Sequence, residues 1–263
     1  MICALLIFQA PELPAPLAEL SPWLDWLPVP RDQVFRQLEA QRHRRFIKTH
    51  TPLDGLPLDP RATYIVVARS PLDMALSLYY QGANIDRTRL RQLTGQPEPT
   101  PAGSPRLPPR EWLLRWIDDD VAPQQQLDSL RGVLWHLDGA WSRRDGGNVV
   151  LLHYDSLLAD LDGGMRELAS TLGIEVPDQL WPELVKAATF DHMRASAPRL
   201  VPDPLGIFHD STALFRQGQS GCGRALLSEQ EHARYLARTR QLARADLLAW
   251  LHREDPSPVS ARE

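Results

Sequence analysis

Apolar positions along the chain follow two rhythms. Short runs rich in β-branched and aromatic residues, around Phe46-Ile47, over Tyr64–Ala68 and over Asn148–Tyr154, are bounded by turn residues and predict buried strands. Longer stretches carry apolar residues at three- and four-residue spacing. They predict helices over Met1–Gln9, Asp32–Gln41, Glu111–Asp119, Leu127–Arg143 and Asp178–Ala188. A further helix starts at Ser70, a good N-cap, with Pro71 at the first helical position and Asp73 completing a capping-box-like start. Met74, Ala75, Leu78 and Tyr79 supply its apolar face. Asp155 caps a helix through Leu172 that Gly173 ends. Ser228 with Glu231 forms a capping box opening a last helix to about His252.

Strands separated by a dozen residues or more, with helices between them, imply a parallel sheet with helices on both faces. The expected fold class is therefore α/β, three-layered, in a single domain over 1–254. Residues 255–263 read as a disordered tail. Thr94–Pro109 holds six prolines, which exclude helix and central strand. This loop suits a lid or a plain surface insertion. Trp23 and Trp26, in an amphipathic turn, suit packing or the wall of an acceptor pocket.

Composition narrows the function little. At 263 residues, 43% hydrophobic and 24% charged, the chain is an ordinary globular protein. A net charge of −4 argues against general nucleic-acid binding and leaves room for a local basic pocket. Two cysteines make no disulfide framework and fit a reducing cytoplasm. The apolar opening Met1–Phe8 is too short for a membrane span. The histidines outside the central stretch show no compact ligand spacing, so no metal is expected. Oligomeric state is not legible.

The chemistry concentrates between Phe46 and Tyr80. In open parallel sheets, sites lie beyond the carboxyl ends of strands, where Lys48, His50 and Arg69 would fall. The helix start after Arg69 presents free N–H groups and a positive dipole end, which suits a phosphate. Arg69 adds a planar cationic fork, and Ser77 lies one turn beyond Asp73.

These residues resemble the PAPS-dependent sulfotransferases of the cytosolic type, with closest likeness to actinobacterial members. IKTH resembles the family's catalytic-histidine segment, and ARSPLDMALSLYY its 3′-phosphate-binding segment. The likeness continues through NVVLLHYDSLL, AATFDHMRA and LFRQGQSG. It implies a P-loop-NTPase-like sulfotransferase fold that moves a sulfuryl group from PAPS to a hydroxyl, or an amine, of a small-molecule acceptor and releases PAP without a metal. By the same resemblance His50 is the base and Lys48 its electrostatic partner. Arg69, Ser77, Arg216 and Gly218 hold the 3′-phosphate, and Tyr154 and Phe190 lie near the adenine. Sterol, phenol, lipid and glycan acceptors all remain open.

Three departures bear on these expectations. Family members open with a strand and a loop close to YPKSGTTW that cradles the 5′-phosphosulfate. No such loop occurs here, and MICALLIFQ resembles the helix that follows it. The expectation is a sulfotransferase fold with its first strand missing. A catalytically inactive, truncated relative with residual 3′,5′-ADP binding is the alternative. Gln217 replaces the usual lysine of the second phosphate segment, and Gly223 stands at the usual tryptophan. A kinase of related fold would need a Walker-type loop, which is also absent.

Overall fold

The computed structural model describes residues 1–97 and 106–253. Residues 98–105 of the proline-rich segment and the 255–263 tail lie outside the described residues, and with them the expected lid and disordered tail. The architecture is helix-rich α/β with a parallel sheet, as the alternation of runs predicts. By contacts the chain divides into two compact units. One comprises Met1–Thr51, Tyr80–Pro105 and Ser156–Gly218; the other comprises Pro52–Tyr79, Arg106–Asp155 and Gln219–Glu263. Among the described residues no helix is long and apolar enough to cross a membrane.

The second unit holds the sheet. β1 (Tyr64–Ala68) and β2 (Val149–His153) pair in parallel, in register from Tyr64 opposite Val149 to Ala68 opposite His153. Val66 and Ala68 turn into the core while Val67, between them, is 59% exposed, the two-residue period of a strand with one face covered. The helix Leu130–Trp141 lies against both strands, and the helices Glu229–Leu242 and Ala245–His252 pack on it in turn. Leu113, Ile117, Leu130, Leu134, Tyr235, Leu247 and Leu251 form the centre of this core. The Ser228–Glu231 capping box forms as the spacing predicts. The last helix, expected to run unbroken, is interrupted at Ala243, whose backbone is extended.

The first unit is helical. Ala4, Leu5 and Leu6 of the helix Ile2–Phe8 are buried, and that helix packs on Trp181–Ala188. The long helix expected from Asp155 to Leu172 is two helices, Tyr154–Ala159 and Leu161–Thr171. Asp160 starts the second by accepting the N–H of Gly163, which stops the first. The strand expected at Phe46-Ile47 is reduced to one parallel bridge, Lys48 opposite Trp23. Lys48 bonds to Pro22 O and Leu24 N there, and Pro22 has no N–H with which to carry the ladder further.

Leu134 is fully buried between the strands and the outer helices. Leu134→Ala is expected to cost about 2–5 kcal/mol of stability, measured as a shift in the denaturant midpoint. A cost below about 1 kcal/mol would mean that this core does not hold the sheet.

Candidate active site

In the first unit the expected base and its partner assemble on one indole. The extended segment after Ile47 crosses the turn at Trp23, and that single bridge sets Lys48 and His50 beside the ring. Lys48 Nζ lies 3.8 Å from the Trp23 ring centroid, and the His50 ring meets Trp23 edge-on at 4.6 Å. Trp26 stacks behind Trp23 at 4.3 Å. The ring nitrogens of His50 make no hydrogen bond among the described residues.

Asp25 fixes this segment. Its Oδ2 accepts from the Thr49 hydroxyl at 2.8 Å, the His50 and Thr51 N–H groups at 2.9 Å each, and the Thr51 hydroxyl at 2.8 Å. Burial alone would push the Asp25 carboxyl up; the donors from Thr51, Thr49 and His50 outweigh it and hold the group below the usual carboxylate range. Packing strips water from Lys48 and lowers its pKa, with Asp25 opposing. Loss of water also lowers His50, the Lys48 charge lowers it further, and Asp25 opposes both. Both side chains keep solvent access. The result at neutral pH is an uncharged imidazole able to accept a proton, next to a lysine.

Three more of the expected residues lie in this unit. Gly218, at φ +63°, places its backbone against the face of Phe190, where an added Cβ would come within 2.5 Å of the ring. Only glycine permits both that φ and that approach. Phe215 meets Phe190 edge-on at 6.2 Å. Arg216 lies over the Tyr80 ring at 4.3 Å.

The second unit gathers Arg69, Ser77 and Tyr154. Arg69 leaves the end of β1, and its guanidinium covers the Tyr154 ring at 4.5 Å. Its Nη1 lies 3.5 Å from the Ser77 hydroxyl, eight residues and two helical turns away, and its Nη2 donates to Gln219 O. The buried Nε has no partner among the described residues. A cationic fork with an unmet donor, an exposed hydroxyl beside it and a helix start below it fit a phosphate. Asp73, expected to close a capping box, accepts instead the N–H groups of Gly221 and Gly223 at 2.7 Å each. Among the described residues no group of three His, Cys, Asp or Glu side chains is disposed to hold a metal.

Asp25 was missed by sequence reasoning, and Asp73 was assigned the wrong partner. Their contacts span 24 to 26 and 148 to 150 residues, beyond any local signal.

The electrostatics predict an NMR titration of His50 with a midpoint below its ordinary 6.5. Lys48→Met should raise that midpoint, since the lysine charge lowers it. Between the lowered value and 6.5 the unfolded chain binds more protons, so the stability held in this group rises with pH and is lost on acidification. A midpoint at or above 6.5, or one unmoved by Lys48→Met, would contradict the arrangement.

The sulfotransferase domain profile matches residues 3–245. A glycolipid sulfotransferase of Mycobacterium bovis (strain BCG / Pasteur 1173P2) is 40% identical over 270 residues, covering 95% of this chain and 82% of that protein. Retinol dehydratase in complex with androsterone and inactive cofactor PAP superposes with a TM-score of 0.67 at 17% identity, over 91% of this chain and 76% of that one. Mouse sulfotransferase SULT7A1 complexed with PAP gives 0.63 at 18% identity, over 86% and 75%. The solved structures share the fold, and the profile and the mycobacterial relative carry the kinship: the chain belongs to the sulfotransferase family.

Proposed function

We propose that the protein transfers a sulfuryl group from PAPS to a hydroxyl of an acceptor, with His50 as the base. PAPS supplies an activated sulfuryl on an anhydride, and 3′,5′-ADP is the leaving group. His50 takes the acceptor proton as the hydroxyl oxygen forms its bond to sulfur and the anhydride S–O bond breaks. Lys48 offsets negative charge on the sulfuryl and bridging oxygens. Arg69 and Ser77 hold the 3′-phosphate, with Arg216 and the Gly218 backbone as the second phosphate segment. Phe190 lies against the adenine and Tyr154 meets it through its hydroxyl. No residue role requires a metal.

One observation carries this reading: His50, its nitrogens unpartnered among the described residues, shares the Trp23 indole with the Lys48 ammonium. Among possible acceptors, 40% identity to a glycolipid sulfotransferase favours a sugar hydroxyl of a glycolipid. The cytoplasm is the compartment we assign.

Transfer from radiolabelled PAPS to a glycolipid, alongside PAP titration, tests the reading. His50→Ala should lower kcat by about 10²–10⁴-fold with PAP affinity kept. Arg69→Ala should weaken PAP by about 10–100-fold, the worth of a charge-assisted hydrogen bond. Unchanged turnover in His50→Ala would remove the base. PAP binding without transfer to any hydroxyl or amine would leave a nucleotide-binding relative without catalysis.

A further inference from the structure

We infer that Asp73 is a positioning residue for the 3′-phosphate grip: its carboxylate docks the Gln219–Gly223 backbone onto the helix start after Arg69, and that backbone aims the Arg69 guanidinium. The inference rests on the assignment of Arg69 to the 3′-phosphate.

Asp73 is 2% exposed, and its two oxygens are divided between two donors. Oδ2 accepts the Gly221 N–H and Oδ1 the Gly223 N–H, each at 2.7 Å. Arg69 Nη2 stands 3.8 Å from the same Oδ2 and donates to Gln219 O, two residues before Gly221. The Ser220 hydroxyl donates to Asp155, just past the end of β2. The segment is thus tied at Gln219, Ser220, Gly221 and Gly223, and three of those ties run to Arg69 or Asp73. Gly221 takes φ +87°, and a Cβ on Gly223 would strike the carbonyl of Leu72. The two backbones therefore touch with nothing between them, and that approach lets one carboxylate reach both N–H groups.

Asparagine cannot replace this aspartate, because its amide NH2 would face an N–H that needs an acceptor. Alanine at 223 would force the segment away from Leu72 with the charge at 73 intact. The two substitutions break one contact from opposite sides. If that contact only stabilised the fold, both would weaken every nucleotide alike.

Calorimetric titration of PAP and of adenosine 5′-monophosphate, which lacks the 3′-phosphate, separates these cases. Asp73→Asn and Gly223→Ala are each expected to weaken PAP by about tenfold or more and adenosine 5′-monophosphate by less than about twofold. In the unliganded wild-type protein the Gly221 and Gly223 amides should exchange slowly with solvent, and this holds the inference to account even if a variant does not fold. Equal losses for both nucleotides, unchanged PAP affinity in the variants, or fast exchange at both glycines would overturn it. PAP binding unaffected by Arg69→Ala would instead remove the underlying grip. Loss in Arg69→Ala, with wild-type PAP binding in both other variants, would remove the positioning role alone.

Discussion

A carboxylate drawn out of water must collect hydrogen-bond donors, and two such carboxylates decide where the candidate chemistry of this chain sits. Asp25 gathers two hydroxyls and two backbone N–H groups from Thr49 to Thr51 and so sets the backbone that carries His50. Asp73 gathers two N–H groups from a glycine-rich segment and so closes that segment on the helix start that follows Arg69. In each case two of the donors are backbone N–H groups. Backbone is the better target, because a fixed main chain limits the rotamers open to the side chain it bears. The Gly223 N–H is buried, and left unmet it would cost about 1–3 kcal/mol, so that contact is held by the penalty for leaving it.

The same economy of contacts appears around Trp23. One indole receives a cation on its face and an imidazole against its edge. An indole face attracts positive charge while withholding water. That arrangement sets Lys48 beside His50, and the pKa of each lies below its ordinary value. Asp25 acts against both shifts from the other side. Neither residue would be tuned this way in an isolated extended segment, and the one-residue bridge between Trp23 and Lys48 brings the tuning groups together.

What was legible in the sequence was local. Tyr64–Ala68 and Val149–His153 announced themselves through β-branched runs, and the Ser228–Glu231 box through its spacing. Ser77 was read one turn beyond Asp73, and the resemblance paired it with Arg69; its hydroxyl lies 3.5 Å from Arg69 Nη1. Failures came where a distant partner or a competing cap decided. Phe46-Ile47 has strand composition, but its neighbour begins with Pro22 and no ladder forms. Asp160, read as mid-helix, bonds to Gly163 N–H and starts a new helix. Asp73 had a local donor in prospect and took two from 148 and 150 residues away. A propensity reads the nearest turn of chain; a buried charge answers to whatever donors the fold delivers.

Gln217 and Gly223, which depart from the pattern the resemblance implies, have opposite physical consequences. Gln217 is uncharged where the resemblance leads one to expect a lysine, which leaves Arg216 as the cation of LFRQGQSG. Replacing tryptophan by Gly223 removes an indole but admits a backbone contact that no other residue allows, since any Cβ there meets the Leu72 carbonyl. The segment therefore loses charge and gains order. A phosphate held under those terms would depend on Arg69 more than on any second cation. Arg69 is equipped for that: its side chain is 23% exposed, it lies over Tyr154, and its Nε still lacks an acceptor among the described residues. A guanidinium already fixed by a ring and a backbone carbonyl loses little further freedom when an anion arrives.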